Sequence, residues 1–405
     1  MNIKKFLQKR KSPYRNDAPR VRNSYYTFSR EYPAGNIPLQ RRMHLRFKSK
    51  HTKNSLLALL AAIAVCVSFF GVRLLLDISY KAPDKSDSSS AVVESEQSVL
   101  EAEGFRAMYM PYERLGDTFY IRSFINKLEK KDCNGVVIDF KTESGKLCYS
   151  SLNLHAINAR CAIFDNNTVR KALSIFRKEG ITVAARIFCF LDNTIPAQSP
   201  SLAIKYMDTD VNWIDAEMGG EGKTWLNPCS KAAQRYLLEI INELNSFNIH
   251  GFILEKCHYP DNGNAEGASF PGLKDFKNKN EAITSFIANV KKLLDSDDFL
   301  IVTKSATEAV EGNSEIYSGS INKAPFDAVA AYTLNRPEDI VLDKKTDYAD
   351  MLSLFSSIEN NHEGKAFIPV IDFEEYSRKY MRTVKKNCSS YILFDFLGKY
   401  KEVNL

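Results

Sequence analysis

From residue 105 onward, the chain alternates between short apolar runs and amphipathic stretches. The apolar runs are rich in Val, Ile, Leu and Phe, which favours strands of a parallel sheet buried on both faces. They cover residues 105–110, 135–140, 181–190, 251–255, 299–303, 327–333, 366–372 and 390–396. Helical patterns lie between most of them, at 117–131, 167–179, 230–246, 281–295, 348–360 and 375–386. Eight strands alternating with helices predict an α/β fold, a (β/α)8 TIM-type barrel.

An open, doubly wound sheet is the alternative for the same order of elements. Its nucleotide-binding form carries GxGxxG after the first strand, and that motif is missing here. The segment GGEGKT at 219–224 resembles part of a phosphate loop, but Glu217 stands where that pattern requires glycine. The barrel is therefore the favoured architecture, and a phosphate loop is not expected.

A second kind of apolar run precedes the barrel. Residues 55–76 contain Arg73 as their single charged residue, and about 20 apolar residues suffice to cross a bilayer as a helix. A cleaved signal peptide is the alternative, but its apolar region is normally shorter and nearer the N-terminus. We therefore predict an uncleaved transmembrane helix over residues 54–77.

Charge divides the chain at that helix. Residues 1–53 hold fifteen Lys and Arg against two acids, whereas the rest of the chain holds 40 Lys and Arg against 47 Asp and Glu. We predict a disordered basic arm over 1–53, a polar Ser-rich linker over 78–103 and the barrel over 104–405. Basic residues before the helix place the N-terminus in the cytoplasm of a single-pass cell-membrane protein, with the barrel outside the membrane. Nucleic-acid binding by the arm is the alternative and is not expected, because the apolar span adjoins it.

Four of the apolar runs end on a carboxylate: Asp139, Glu255, Asp372 and Asp395. An isolated ionised carboxylate is costly in an apolar interior, but it stays hydrated at the C-terminal mouth of a barrel, where such enzymes place their chemistry. Each acid alone is better explained as a helix cap or a salt-bridge partner. Four in phase predict a shared ligand face, and paired carboxylates are the minimal apparatus for cleaving a glycosidic bond.

Aromatic and basic residues occupy similar positions. Tyr109, Arg186 and Tyr332 lie in or at the ends of predicted strands, and Trp225 precedes a long predicted helix. Aromatic rings and carboxylates together suit a carbohydrate cleft, since sugars present apolar C–H faces. Core packing is the alternative for Trp225 and Tyr332, and pairing with Asp139 is the alternative for Arg186.

The cysteines do not form a pattern that binds metal. Of the eight, Cys66 lies in the apolar span, and the other seven show neither CxxC nor another metal-type spacing. We therefore expect no dense disulfide framework. The sequence as a whole implies no metal and no organic cofactor.

Several segments resemble a glycoside-hydrolase domain family of bacterial cell-surface proteins, which implies a (β/α)8 barrel over about residues 105–400. The segment at 134–151 is the most specific. The matching segments are YMPYERLGDT (109–118), NGVVIDFKTESGKLCYSS (134–151), GITVAARIFCF (180–190), TWLNPC (224–229) and GFILEKCHYP (251–260).

The chain departs from the family at two strand ends. The family's fourth strand typically ends in Asp-Tyr, followed by Arg-Phe-Pro, and that Asp is the implied catalytic carboxylate. Here Glu255 keeps the carboxylate, and His258 stands in place of Arg. The fifth strand tends to end near an acid, whereas this chain has Lys304 and Ser305, with Glu308 three residues on.

The resemblance and the residues together predict a membrane-anchored, extracytoplasmic protein that acts on a cell-wall or surface polysaccharide. Glu255 is the expected nucleophile or base, and Asp139 or Asp372 is the acid or orients it. A non-catalytic glycan-binding module on the same barrel is the alternative. The sequence leaves the oligomeric state open. The expected substrate-binding residues are Tyr109, Lys141, Arg186, Trp225, His258, Tyr259, Tyr332 and Asp395.

Overall fold

A computed structural model of the 405-residue chain describes the barrel region. The described residues are 103–216, 222–312, 314–332, 348–362, 364–372 and 378–395, together with Leu100, Leu397, Gly398 and Tyr400. The predicted basic arm, the predicted transmembrane helix and nearly all of the predicted linker lie outside them. Within the described ranges, no helix is both long and apolar enough to cross a membrane.

Eight parallel strands close into one barrel. Each strand pairs with its sequence neighbours, and the first pairs with the last, as in Ala107 opposite Ile392. Every predicted apolar run overlaps one of these strands, so the predicted barrel is confirmed. The strands are β1 (Arg106–Tyr109), β2 (Gly135–Lys141), β3 (Thr182–Phe188), β4 (Gly251–Glu255), β5 (Phe299–Ser305), β6 (Ala328–Tyr332), β7 (Ala366–Asp372) and β8 (Tyr391–Phe394).

Helices follow most of the strands and cover the barrel. Polar side chains cap their N-termini, as Asp117, Asp165 and Asn278 do by accepting hydrogen bonds from first-turn backbone N–H groups. All six predicted helical segments are present, with three short helices added. The helices are α1 (Thr118–Lys130), α2 (Leu154–Asn158), α3 (Asn166–Lys178), α4 (Ile195–Gln198), α5 (Lys231–Asn245), α6 (Lys279–Lys291), α7 (Ala306–Glu311), α8 (Tyr348–Asn361) and α9 (Arg378–Asn387).

The loops after β3 and β4 are joined by a small antiparallel pair. Lys205–Tyr206 pairs with Ala268–Ser269, and both segments follow C-terminal strand ends. The Nε1 of Trp213, in the first loop, also donates to the backbone oxygen of Asn264 in the second. These contacts make one continuous wall beside the mouth of the barrel.

Aromatic rings close the barrel at the end opposite the mouth. The rings of Phe105 and Phe299 lie 5.0 Å apart between their centroids, and both are fully buried. Glycines leave room for them. A Cβ on Gly135 would lie 2.3 Å from the Phe105 ring, and one on Gly251 would lie 2.5 Å from the Phe299 ring. These rings form the packed floor of the barrel. Because side chains alternate along each strand, every second residue from this floor to the mouth faces the barrel interior.

Adding a methyl group at Gly251 tests this packing. We expect Gly251→Ala to lower the free energy of unfolding by about 1–3 kcal/mol, because its Cβ would clash with Phe299 and with Ala184. The measurement is equilibrium denaturation. Gly267→Ala is the matched control, since its nearest neighbouring atom would lie 3.5 Å away. Equal stability of the two variants would contradict the packed floor.

Candidate active site

A buried arginine joins two strands on the inner face of the barrel. Arg186 on β3 donates from Nε to Oδ1 of Asp139 at 2.5 Å and from Nη2 to Oδ2 at 3.0 Å. Asp139 lies opposite Arg186 on the neighbouring β2. The two parallel hydrogen bonds form the two-point contact that a guanidinium makes with a carboxylate. The alternative for Arg186, pairing with Asp139, is therefore what the structure shows.

The other side of the same guanidinium reaches Glu255. Nη1 of Arg186 donates to the hydroxyl of Tyr332 at 3.0 Å, and that hydroxyl donates to Oε2 of Glu255 at 3.1 Å. Nη1 also lies 3.9 Å from Oε2 of Glu255. Four predicted site residues, from β2, β3, β4 and β6, thus form one connected network at the mouth.

Aromatic rings enclose the guanidinium. Its central carbon lies 5.0 Å from the ring of Tyr109, 5.2 Å from that of Phe188 and 5.1 Å from that of Phe394. The Tyr109 hydroxyl donates to Oδ2 of Asp139 at 3.0 Å, so Tyr109 belongs to the network as well. Its neighbours hold Arg186 in one orientation.

Protonation in the network follows from its burial and charges. Burial opposes the charge of Arg186, but Asp139 beside it raises the pKa of the guanidinium above its ordinary value. Burial and then Asp139 raise the pKa of the Tyr109 hydroxyl well above its ordinary value. At neutral pH the network therefore holds a charged arginine and a protonated tyrosine.

A cavity of about 290 Å³ opens beside Glu255. Residues from β4, β5 and β6 line it, together with the loop that follows β4, helix α7 and the segment after α7. The lining residues are Glu255, Lys256, His258, Asp261, Thr303, Lys304, Ser305, Thr307, Glu308, Ile316 and Tyr332. Glu255, His258 and Tyr332 are the predicted site residues that the cavity brings together.

The chain turns sharply directly after Glu255. Lys256 adopts a left-handed backbone conformation with φ of 49°, which is uncommon for a residue other than glycine. Its ammonium forms an ion pair with Asp261. Although burial opposes it, Lys256 lowers the pKa of Asp261. This turn brings His258 and Asp261 to the cavity next to Glu255.

His258 is buried and neutral. Its Nδ1 lies 2.6 Å from the backbone oxygen of Tyr259, so Nδ1 carries the proton and donates. Burial and the charge of Lys256 lower the pKa of His258 below its ordinary value. At neutral pH His258 therefore does not replace the charge of the arginine that the family carries.

Two predicted binding residues are engaged elsewhere in the protein. Lys141 is fully buried, with its Nζ 2.8 Å from Asp192 and 2.7 Å from the backbone oxygen of Phe188. The oxygens of Asp395 accept from the backbone N–H groups of Leu397 and Tyr400 at 2.9 and 2.8 Å. Both side chains support loops at the mouth and do not line the cavity.

Two predicted aromatic residues are packed outside the cavity. Trp225 is buried, and its Nε1 donates to Asp215 at 2.9 Å, while its ring lies 5.8 Å from that of His258. The Tyr259 hydroxyl donates to the backbone oxygen of Lys279 at 3.0 Å. They pack among the loops outside the cavity, as the core-packing alternative for Trp225 anticipated.

The remaining predicted catalytic acid, Asp372, ends β7. It lies opposite Phe394 of β8 and is half-buried. It shares the strand face of Ile368 and Val370, which pack inside the barrel. Asp372 is therefore on the inner face near the mouth, and its catalytic role stays a prediction.

One group of possible metal ligands lies far from this cavity. His250 Nδ1 lies 3.0 Å from Asp298 and 3.5 Å from Asp297, next to the N-terminal ends of β4 and β5. The hydrogen bond to Asp298 raises the pKa of His250, so the group is explained as an ion pair at the closed end of the barrel. None of the seven cysteines in the described ranges is in a disulfide.

Residues 107–305 match a domain family described as "Putative glycosyl hydrolase domain". Over these residues, the chain is similar to this family. The match spans β1 to β5, including Asp139, Arg186 and Glu255, and confirms the resemblance found in the sequence motifs. The part of the barrel from β1 to β5 is therefore similar to a glycosyl hydrolase domain.

Several solved structures are also similar to the chain. A hypothetical protein from Ruminiclostridium thermocellum is 23% identical, over 48% of this chain and 96% of that one, with a TM-score of 0.42. The glycoside hydrolase domain of PelA from Pseudomonas aeruginosa is 12% identical, over 73% and 95%, with a TM-score of 0.40. An inactive mutant of a Vibrio harveyi exo β-N-acetylglucosaminidase is 10% identical, over 72% and 50%, at 0.48. No curated protein matches the sequence significantly.

Removing the buried arginine tests the network. We expect Arg186→Met to destabilise the protein by about 3–5 kcal/mol, because it leaves the buried carboxylate of Asp139 without its partner. Adding Asp139→Asn should restore part of that loss. Denaturant unfolding of both variants measures this, with the exposed Arg122→Met as control. Equal stability of the Arg186 and Arg122 variants would contradict a stabilising role for the buried network.

Proposed function

We propose that this domain hydrolyses glycosidic bonds of a cell-wall or surface polysaccharide, with Glu255 as the nucleophile or base. The supporting observation is the position of Glu255 at the C-terminal end of β4, on the wall of the cavity. One of its oxygens is held by the Tyr332 hydroxyl and faces Arg186. A carboxylate fixed in this way is oriented before the sugar arrives.

Three carboxylates are candidates for the second one that hydrolysis needs. Asp139 binds Arg186 through both oxygens, and we assign it a positioning role. Asp372 is on the inner face at the mouth and can supply the proton to the leaving oxygen. Glu308 lines the cavity, but its Oε2 accepts from the backbone N–H of Ser305 at 3.1 Å in a capping box. We propose Asp372 as this acid from its position at the end of β7 on the inner face alone.

A glycan-binding module that does not cleave is the second candidate function. Lys304 favours it, because an ammonium occupies the end of β5, where the resembling family tends to carry an acid. Such a module would bind the same polysaccharide in the same cavity, and Glu255 would then contribute hydrogen bonds alone. If Glu255→Gln loses polysaccharide binding and the wild-type protein shows no turnover, the domain binds glycan without hydrolysing it.

Substitution of Glu255 tests the proposed hydrolysis. Reducing-end release from cell-wall glycans should fall at least about 100-fold in Glu255→Gln, because the amide can neither attack carbon nor take up a proton. The exposed Glu266→Gln is the matched control and should keep wild-type activity. Equal release by wild type and Glu255→Gln would exclude Glu255 as the catalytic carboxylate.

We also propose that residues 55–76 anchor the domain outside the cytoplasmic membrane. The apolar span and the basic residues before it support this arrangement. Protease added to intact cells should digest residues 104–405 and leave the N-terminal arm intact, as detected with antibodies to each part. Protection of the barrel with loss of the arm would reverse the proposed orientation.

A further inference from the structure

Lys304 is a buried ammonium on the wall of the cavity. It lies on β5, is 3% exposed, and lines the same cavity as Glu255. Among the described residues, no carboxylate lies within salt-bridge distance of its Nζ. Three other cations near the mouth do have such partners: Arg186 pairs with Asp139, Lys256 with Asp261, and Lys141 with Asp192.

Neutral groups from two other parts of the fold hold this ammonium in place. Its Nζ lies 3.0 Å from Nε2 of His362 at the end of α8 and 3.3 Å from Oδ1 of Asn322 before β6. It also lies 5.4 Å from the centre of the Tyr317 ring. The side chain is therefore fixed without neutralisation of its charge.

The position of the ring proton on His362 sets the direction of its hydrogen bond with Lys304. Its Nδ1 lies 2.8 Å from the backbone oxygen of Ile358 and must donate to it, so Nε2 carries a lone pair and accepts from Lys304. Burial and the charge of Lys304 lower the pKa of His362 to about 4, so this histidine is neutral at pH 7. Two of the three ammonium N–H groups are thus used, and one remains for a ligand.

Glu308 does not fill the role of a counter-ion. It also lines the cavity and attracts Lys304 electrostatically, but it lies beyond salt-bridge distance. Its two oxygens accept from the backbone N–H of Ser305 and from the Ser314 hydroxyl. A cation buried without a close partner carries a desolvation cost that an anionic ligand would offset.

We propose that Lys304 binds an anionic group, a carboxylate or a phosphate, on the sugar that occupies the cavity. The inference rests on the proposed function for the cavity and narrows its substrate class to acidic glycans. The anionic group lies against Lys304 and away from the carboxylates of Glu255 and Glu308. A neutral sugar would leave the buried charge uncompensated.

Binding of small sugars to the purified full-length protein tests this proposal without any turnover. The probes are D-glucose, D-glucuronic acid and D-glucose 6-phosphate, titrated by calorimetry at pH 7. We expect at least one charged sugar to bind about 10- to 100-fold more tightly than glucose, as for a hydrogen bond between charged groups. The better of the two charged sugars then identifies the anion as carboxylate or phosphate.

Variants test whether Lys304 causes the preference for charged sugars over glucose. Lys304→Met should abolish it, and the exposed Lys274→Met should leave it unchanged. Lys304→Arg, which keeps the charge, should retain part of it, and circular dichroism confirms that each variant is folded. Equal binding of all three sugars by wild type, or a preference that persists in Lys304→Met, would overturn the proposal.

The pH dependence of binding gives a second readout. Burial lowers the pKa of the Lys304 ammonium to about 8, with Glu308 opposing this shift. Charged sugars favour the protonated amine, so their affinity should fall as the pH rises from 7 to 9.5, while that of glucose stays constant. His362, Tyr317, Glu308 and Lys365 also act on this amine, so the same titration in Lys304→Met isolates its contribution.

Different results would exclude hydrolysis by Glu255 and anion binding by Lys304. If Glu255→Gln leaves reducing-end release unchanged while charged sugars still bind preferentially, hydrolysis is excluded and the anion subsite stands. If Glu255→Gln abolishes release while the charge preference is absent, the anion subsite is excluded and hydrolysis stands.

Discussion

The mouth of this barrel depends on one buried charge, the guanidinium of Arg186. Its two-point contact with Asp139 joins β2 to β3, and its contacts with Tyr332 and Glu255 extend the network to β6 and β4. The rings of Tyr109, Phe188 and Phe394 surround it. Because a buried charge is tolerated only when it is paired and hydrogen-bonded, these side chains have little freedom to move independently. The position of Glu255 is therefore a property of the whole network.

The strands and helices could be predicted from the sequence because they depend on periodicity. Buried parallel strands are continuous apolar runs, and amphipathic helices repeat every 3.6 residues, so both are visible without tertiary information. The inner-face positions of Asp139, Arg186, Glu255 and Tyr332 follow from strand alternation in the same way. The loops are different, since the pair Lys205–Tyr206 and Ala268–Ser269 has no periodic signal.

Several site assignments required knowledge that a strand pattern does not contain. The pairing between β2 and β3 shifts register between Asp139 and Lys141, so two residues that look equivalent in sequence have different surroundings. Asp395 caps the turn that follows it, which depends on backbone conformation. Lys304 was visible in sequence as a departure from the family, but its partner His362 is 58 residues away. Only the folded chain shows that they meet.

The aromatic floor of Phe105 and Phe299 determines whether a ligand can pass through the barrel. Both rings are fully buried where the strands begin, and the narrow interior above them is filled by side chains. The barrel is thus closed at this end and open only at the mouth. A polymer cannot be threaded through it, so any chain that reaches Glu255 enters and leaves by the same rim.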